Sequence, residues 1–455
     1  MASPRDRCSD HEPRRARWNL IGYCAVVAIA VMFFAVSSPI SAQEKSGWTI
    51  LEYDDEGRVI GSRSGAADRT TGSPAPDDDT DAGGGSASEL TPTHQKQVET
   101  GELLIASPPK HALNSLNRLG FTVLEQSALD ALDITMWRVR IPDDLSLPEA
   151  LQRLRKALPD AIIDTNDLLD LSRGKSPVQV AQTRQDFARA AVGWGVVPET
   201  CGKGVILGQI DGAVDVRHTA LTDRDVIYKS LIKQNRQEAA EDHGTAIAVM
   251  LVGKPRAGRL GGLLPGARLY AANIFERWQG RDKGNLAAMI RAVDWLVFND
   301  VQVANFSVAG GDNQLMRLVI GRATQKGLII VAAAGNNGPG AVAAWPAADP
   351  QSLAVTAIDR SYDLYRYANR GTYIDFAAPG VDIMTETPTG IREQSGTSMA
   401  APFVTAMVAL HLQAGFPADP ERIRNSLKRY THDLGAEGRD SDFGFGLVRL
   451  RPQCQ

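Results

Sequence analysis

From about residue 200 to residue 415 this chain alternates short, largely apolar segments with longer amphipathic ones, and that alternation admits few architectures. Val205–Ile210, Ala267–Asn273, Val301–Ser307, Gly327–Ala333 and Ser352–Ile358 read as strands. His243–Val252, Gly284–Asn299, Gln314–Lys326 and Ser398–Ala414 read as helices. A strand without a polar face must be covered on both sides. The pattern therefore predicts an α/β domain over residues 195–455, a parallel sheet with helices on both faces. Sheets of that kind gather their working residues at the carboxyl ends of the strands.

Several chemically capable residues fall at such places. Gly396-Thr397-Ser398-Met399-Ala400-Ala401-Pro402 sets a serine at the first turn of an apolar helix, where the helix field favours developing negative charge. A serine hydroxyl becomes a nucleophile only with a neighbouring base and a holder for the oxyanion; alone, the same serine is an ordinary helix cap. Of the seven histidines, three lie in the first quarter of the chain. Of the other four, only His243 has a helix-start glycine beside it, in Glu241-Asp242-His243-Gly244-Thr245-Ala246. Asp211 ends the strand Gly204–Ile210, which places its carboxylate at the sheet's carboxyl edge. Asn336 follows the strand from Gly327 in the turn Gly335-Asn336-Asn337-Gly338, and a tight turn can aim a side-chain amide.

Taken together, these residues resemble the subtilisin-like serine proteases, whose triad runs in the order Asp211, His243, Ser398. The resemblance implies that Ser398 attacks a peptide carbonyl, His243 carries the proton, and Asp211 orients and stabilises the imidazole. It assigns the oxyanion donor to Asn336. Loss of such a donor raises the barrier by about 2.7–4 kcal/mol, a figure that belongs to subtilisin itself. Asn305-Phe306-Ser307-Val308-Ala309-Gly310-Gly311 is similar to the family's substrate strand, so Ser307, Val308 and Ala309 are expected to pair with an extended peptide. Ala343–Ala347 resembles the loop behind the first specificity pocket, with Ala344 as a small floor that leaves room for a sizeable apolar side chain. Phe376–Gly380 and Arg439–Gly446 complete a likeness that covers about residues 195–450.

The chain departs from the family in two places. Asp211 is followed by Gly212-Ala213, where the family usually has a hydroxyl residue and then glycine, so backbone N–H groups must hold the carboxylate. The loop Gly253-Lys254-Pro255-Arg256-Ala257-Gly258-Arg259 is basic, whereas calcium needs carboxylate and carbonyl oxygens. Neither a metal nor a cofactor is expected.

Forty-nine basic residues against 53 acidic ones give no charge excess that points to nucleic acid. Arg14-Arg15-Ala16-Arg17 precedes an apolar run, Leu20–Val36, and then Ser37-Ser38-Pro39-Ile40-Ser41-Ala42. Residues 1–42 thus read as a signal peptide cleaved after Ala42, or as an uncleaved anchor that would be the only membrane contact. Either way the enzyme would work outside the cytoplasm, in a periplasm or secreted. Beyond the leader only Cys201 and Cys454 remain, and in an oxidising compartment they can pair. Chain entropy puts the ceiling for so long a loop at roughly 5 kcal/mol.

Residues 43–100 read as a low-complexity flexible segment, with Trp48–Gly61 as an isolated hairpin and Pro76-Asp77-Asp78-Asp79-Thr80-Asp81 inside a polar tether. Residues 101–172 read as strand, helix, strand, strand, helix, strand, a small α+β module of ferredoxin-like βαββαβ order. Its size and position resemble a subtilase propeptide, which implies an intramolecular inhibitor and chaperone. A linker at 173–194, marked by Arg173, Lys175, Pro177 and Arg184, is the expected maturation region. The sequence thus points to an exported serine endopeptidase made as an autoinhibited zymogen and acting on proteins or peptides. A non-catalytic relative that binds or regulates, and a serine esterase or transpeptidase, stand as alternatives.

Overall fold

The computed structural model describes residues 48–53, 59–65, 94–172, 187–255, 261–278 and 281–454. The leader, the polar tether, the proposed linker sites Arg173–Arg184 and most of the basic loop after His243 lie outside them.

Along the chain come β1 (Trp48–Tyr53), β2 (Val59–Gly65), β3 (His94–Ala106), α1 (Ala112–Arg118), β4 (Thr122–Leu129), β5 (Ile134–Arg140), α2 (Leu147–Ala157) and β6 (Ile162–Leu171). Strands β4, β5, β3 and β6 form an antiparallel sheet in that order. Its helices are set by local chemistry. Ser146 caps α2 in a capping box with Glu149, and Leu147, Leu151 and Leu154 recur on the buried face. These residues join Leu103, Ile105, Leu116 and Val139 in a separate apolar cluster.

The hairpin β1–β2 is not isolated, as the sequence suggested. β1 pairs antiparallel with the first half of β3, and Leu51 is buried in the same cluster. The expected flexible segment therefore gives residues to three strands. An isolated hairpin is marginal in water, and a third strand with an apolar face supplies what it lacks.

Further along come α3 (Phe187–Val192), β7 (Ile206–Asp211), β8 (Val226–Ser230), β9 (Gln237–Glu238), α4 (Asp242–Val252), β10 (Arg268–Asn273), β11 (Phe275–Trp278), β12 (Arg281–Asn285) and α5 (Leu286–Phe298). Then follow β13 (Val303–Phe306), β14 (Val308–Ala309), α6 (Gln314–Gln325), β15 (Ile329–Ala333), β16 (Ser352–Ile358) and β17 (Phe376–Pro379). The chain closes with β18 (Ile383–Thr387), β19 (Gly390–Gln394), α7 (Thr397–Gln413), α8 (Pro420–Leu427), β20 (Thr431–His432) and β21 (Leu447–Val448).

The main sheet runs β20-β21-β17-β16-β15-β13-β7-β10-β8, parallel throughout except at β20. Alternate residues of one strand feed opposite cores. Val303, Ile329, Val331, Leu353 and Val355 pack with α4 and α7, while Ala304, Ile330, Ala332 and Ala354 pack with α5 and α6. This is the two-sided burial that the apolar strands require. The structure pairs Cys201 with Cys454, their Cα atoms 4.8 Å apart.

A second sequence expectation is revised. Gly284 and Asn285 belong to β12, and α5 begins only at Leu286, with the Asn285 side chain accepting from Ala288 N at 2.9 Å. Asparagine prefers to cap a helix rather than to continue it.

Near the chain's end, Asp375 fastens the last turns to the sheet. Its carboxylate accepts from Arg424 Nε at 2.8 Å, Arg439 Nη2 at 2.9 Å and Ala354 N at 3.1 Å. Burial raises the Asp375 pKa, and Arg424 opposes that shift. Removing one partner of a buried pair leaves charge uncompensated, typically at about 3–5 kcal/mol. Arg439 remains, so Arg424→Ala is expected to lower unfolding free energy by roughly 2–4 kcal/mol in a urea titration. A loss under 0.5 kcal/mol would show that the pair is dispensable.

Candidate active site

Strand β7 delivers Asp211 to the carboxyl edge of the sheet, and two helix starts, α4 and α7, bring His243 and Ser398 to meet it. His243 Nδ1 lies 2.8 Å from Asp211 Oδ1, and His243 Nε2 lies 2.9 Å from Ser398 Oγ. An ionised carboxylate can only accept, so Nδ1 carries the hydrogen and Nε2 is left to accept from the serine hydroxyl. Asp211 Oδ1 also accepts from Gly212 N at 2.6 Å, while buried Oδ2 has no hydrogen-bond partner.

Glycines make this convergence possible. A Cβ on Gly244 would stand 2.5 Å from Gly212 O and 2.4 Å from Ala213 O, so only glycine lets α4 start against the end of β7. On the serine side, Gly396 N donates to Gly380 O at 2.7 Å, and a Cβ on Gly380 would sit 2.7 Å from Gly396 O. Pro402 lies inside α7 and has no N–H to give to the carbonyl of Ser398.

Asn336 stands beside Ser398, and its amide has one allowed orientation. Thr397 N donates to Asn336 Oδ1 at 3.0 Å, and Thr397 Oγ1 does so at 3.1 Å. A backbone N–H can only donate, so Oδ1 is fixed and Nδ2 must point away from Thr397. Nδ2 donates to Ser172 O at 2.8 Å. Thr397 is a positioning residue that the sequence reading did not single out, although it lies within the serine motif.

Ser172 follows β6, and β6 runs as a strand through the site. Asp170 and Leu171 pair antiparallel with Ala309 and Val308 of β14, and Ser172 N donates to Ser307 O at 2.9 Å. On the other side, Leu168 and Leu169 pair with Asn285 and Gly284 of β12. Ser307, Val308 and Ala309 thus form one wall of a groove that already holds a chain. The opposite wall, β11–β12, is not announced by the sequence pattern, because its last residues run directly into α5. Trp278-Gln279-Gly280-Arg281 is the hairpin signal that could have found it.

The side chains of the held segment meet mostly apolar surroundings. A Cβ on Gly310 would stand 2.5 Å from Leu169 Cδ2, so Leu169 lies directly over that glycine. Leu171 comes within 3.9 Å of a Cβ position on Gly212. Ala344 is buried, close to Gly335 and Asn369. With the segment in place, Ser398 has no exposed surface and His243 is 2 % exposed. Among the described residues no cluster of three His, Cys, Asp or Glu side chains could hold a metal, and no helix is long and apolar enough to cross a membrane.

Because Gly244 touches backbone on two sides, Gly244→Ala must push α4 off β7 and carry His243 with it. A displacement near 1 Å at a catalytic base costs on the order of 100-fold. We expect at least that loss in kcat with the protein still folded; retention of more than a tenth of the activity would contradict the close approach.

A model of the subtilase family matches residues 202–446. The minor extracellular protease Epr of Bacillus subtilis (strain 168) is 31% identical over 218 residues, 47% of this chain and 33% of that protein. Subtilisin E of the same organism is 27% identical over 259 residues, 56% of this chain and 66% of its own length. Subtilisin of Bacillus pumilus is 26% identical over 259 residues, covering 92% of it. This chain therefore spans a third of the length of the first relative and about two thirds of the second. Among solved structures, fervidolysin from Fervidobacterium pennivorans, a keratinolytic enzyme related to subtilisin, superposes with a TM-score of 0.65 at 20% identity. The superposition covers 77% of this chain and 60% of that one, and at this identity it shows a shared fold.

Proposed function

The chain belongs to the subtilase family, and from that premise we propose that it is an exported serine endopeptidase made as an autoinhibited zymogen. Its propeptide ends at Ser172. The observation that carries this reading is the placement of Ser172. Its carbonyl oxygen accepts from Asn336 Nδ2, its N–H donates to Ser307 O, and the same Asn336 side chain is held by Thr397, the residue before Ser398. On this reading the Ser172 carbonyl is held as a substrate carbonyl would be.

The chemistry follows from those contacts. Ser398 Oγ attacks the carbonyl carbon of Ser172 while its proton passes to His243 Nε2, and Asp211 stabilises the resulting imidazolium. Asn336 Nδ2 meets the oxyanion. The tetrahedral intermediate collapses and breaks the Ser172–Arg173 bond; His243 returns the proton to the departing amine of Arg173. Water then attacks the acyl-enzyme with His243 as base and frees the Ser172 carboxylate. The held segment is extended and paired on both edges, which suits a peptide and gives an isolated ester little to bind. The apolar leader supports export, and an oxidising compartment would keep Cys201 and Cys454 joined.

The direct test compares exported wild type with Ser398→Ala by intact mass. Wild type is expected to split between Ser172 and Arg173, and the variant to stay joined. Identical processing of both would assign the cut to another protease.

Acidic groups near the contact between the N-terminal sheet and the rest of the chain give docking a pH dependence. Desolvation raises the Asp167 pKa to about 6, against the pull of Lys96 and with the push of Asp164. Burial likewise raises Glu99, which faces Lys233 and Glu102, and Glu276, which faces Arg236 and Lys233. A carboxyl whose pKa is higher when docked takes up a proton on docking. Its stabilising contribution is complete at low pH and is lost as pH rises through the docked value. The cleaved but retained propeptide is therefore expected to leave faster at pH 8 than at pH 5, as followed by size-exclusion chromatography. Faster departure at pH 5 would contradict the sign.

A further inference from the structure

The segment in the groove shows how each wall meets each side chain, and one contact carries charge. Asp170 is the third residue before the Ser172–Arg173 bond. Leu169 pairs with Gly284 across β6 and β12, which sets Lys283, the next residue of β12, beside Asp170. Lys283 Nζ donates to Asp170 Oδ1 and, at 3.2 Å, to Gln97 Oε1. Both hydrogen-bond partners belong to the N-terminal part that cleavage would free. Once that part leaves, Lys283 keeps its place on the wall and lacks a counter-charge.

Neighbouring positions select differently. Leu169 packs over Gly310 and Leu171 lies near Gly212, so the second and fourth residues before the bond meet apolar surroundings. On the Lys283 wall Asp282 pairs with Arg277 at 2.6 Å, and Glu276, opposite Lys283 in the β11–β12 pair, is engaged by Arg236 at 3.8 Å. Across the groove, Asp312 pairs with Arg317. Lys283 is the charge left facing the third position.

We propose that Lys283 is a specificity-determining residue that selects an acidic side chain three residues before the scissile bond. The proposal deepens the endopeptidase reading and rests on it. The substrate class it names is an extended peptide with an apolar, an acidic, an apolar and a small residue in that order before the cut. The Lys283 side chain is 14% exposed and that of Asp170 60%, so the pair is half in solvent. Pairs of that kind are worth up to about five-fold in an equilibrium or rate.

The test uses wild-type enzyme that has processed itself and fluorogenic peptides Leu-Xaa-Leu-Ser with Xaa as Asp, Asn or Lys. In low salt, kcat/KM is expected to fall from Asp to Asn to Lys over about ten-fold in total, and the spread is expected to collapse in 1 M salt. Lys283→Glu is expected to reverse the order. Lys283→Met should flatten the order, and it serves if the glutamate variant fails to mature. Equal rates for the three peptides in wild type at low salt would overturn the proposal. So would a Lys283→Glu enzyme that holds its cleaved propeptide less well but keeps the wild-type order. No hydrolysis of the Asn peptide by wild type would instead sink the endopeptidase reading.

Discussion

Ser172 is gripped from two sides, its N–H giving to Ser307 O at 2.9 Å and its carbonyl taking from Asn336 Nδ2 at 2.8 Å. The rest of the active end depends on that grip. Strands β12 and β14 would otherwise present bare edges, and β6 fills both, so that β3, β6, β12 and β11 become one continuous sheet. Helix ends hold β6 in register. Asn166 Oδ1 accepts from Ala287 N at the start of α5, and Asp164 Oδ2 accepts from Gln314 N at the start of α6. Acceptors placed at two helix N-termini satisfy orphan N–H groups and, for the carboxylate, meet the positive end of the helix field. The segment is thus fixed along its length before the carbonyl reaches Asn336.

On the proposed zymogen reading the same grip serves both inhibition and catalysis. An oxyanion donor must be aimed before the reaction begins, and for Asn336, the proposed donor, Thr397 does this by occupying Oδ1. Because Thr397 directly precedes Ser398, donor and nucleophile move as one unit. His243 is set by a different device, the Gly244 contact with β7. The triad geometry therefore rests on two backbone approaches that no side chain could replace.

Much of this was legible in the sequence. The parallel sheet could be read because burial on both faces demands apolar strands, and Val205–Ile210 or Ile329–Ala333 have no other reason for their composition. Asp211, His243, Ser398 and Asn336 stand out because each sits at a strand end or a helix start with glycine within two residues. The β12 wall was missed for the opposite reason. Arg281-Asp282-Lys283-Gly284 is polar and short, and it is a strand only because β6 and β11 pair with it. The hairpin β1–β2 looked isolated because its third strand, the first half of β3, lies beyond a long polar stretch. Local pattern records what a residue must bury; it does not record which distant edge will pair with it.

The first half of β3 gives that missed pairing its consequence. Lys96 joins Asp167 of β6 at 2.8 Å and also donates to Asp312 O on one side of the groove at 3.0 Å. Its neighbour Gln97 accepts from Lys283 on the other side at 3.2 Å. Adjacent residues of one strand therefore span the groove over β6, with β1 bracing them from behind. Cutting the chain after Ser172 breaks none of these contacts. Such a cut turns an intramolecular contact into one between two chains, and the Lys96 and Gln97 contacts are among those left to hold the segment. On the proposed zymogen reading, peptide-bond cleavage and access to Ser398 are separate events, and the strand lying outside the groove keeps them apart.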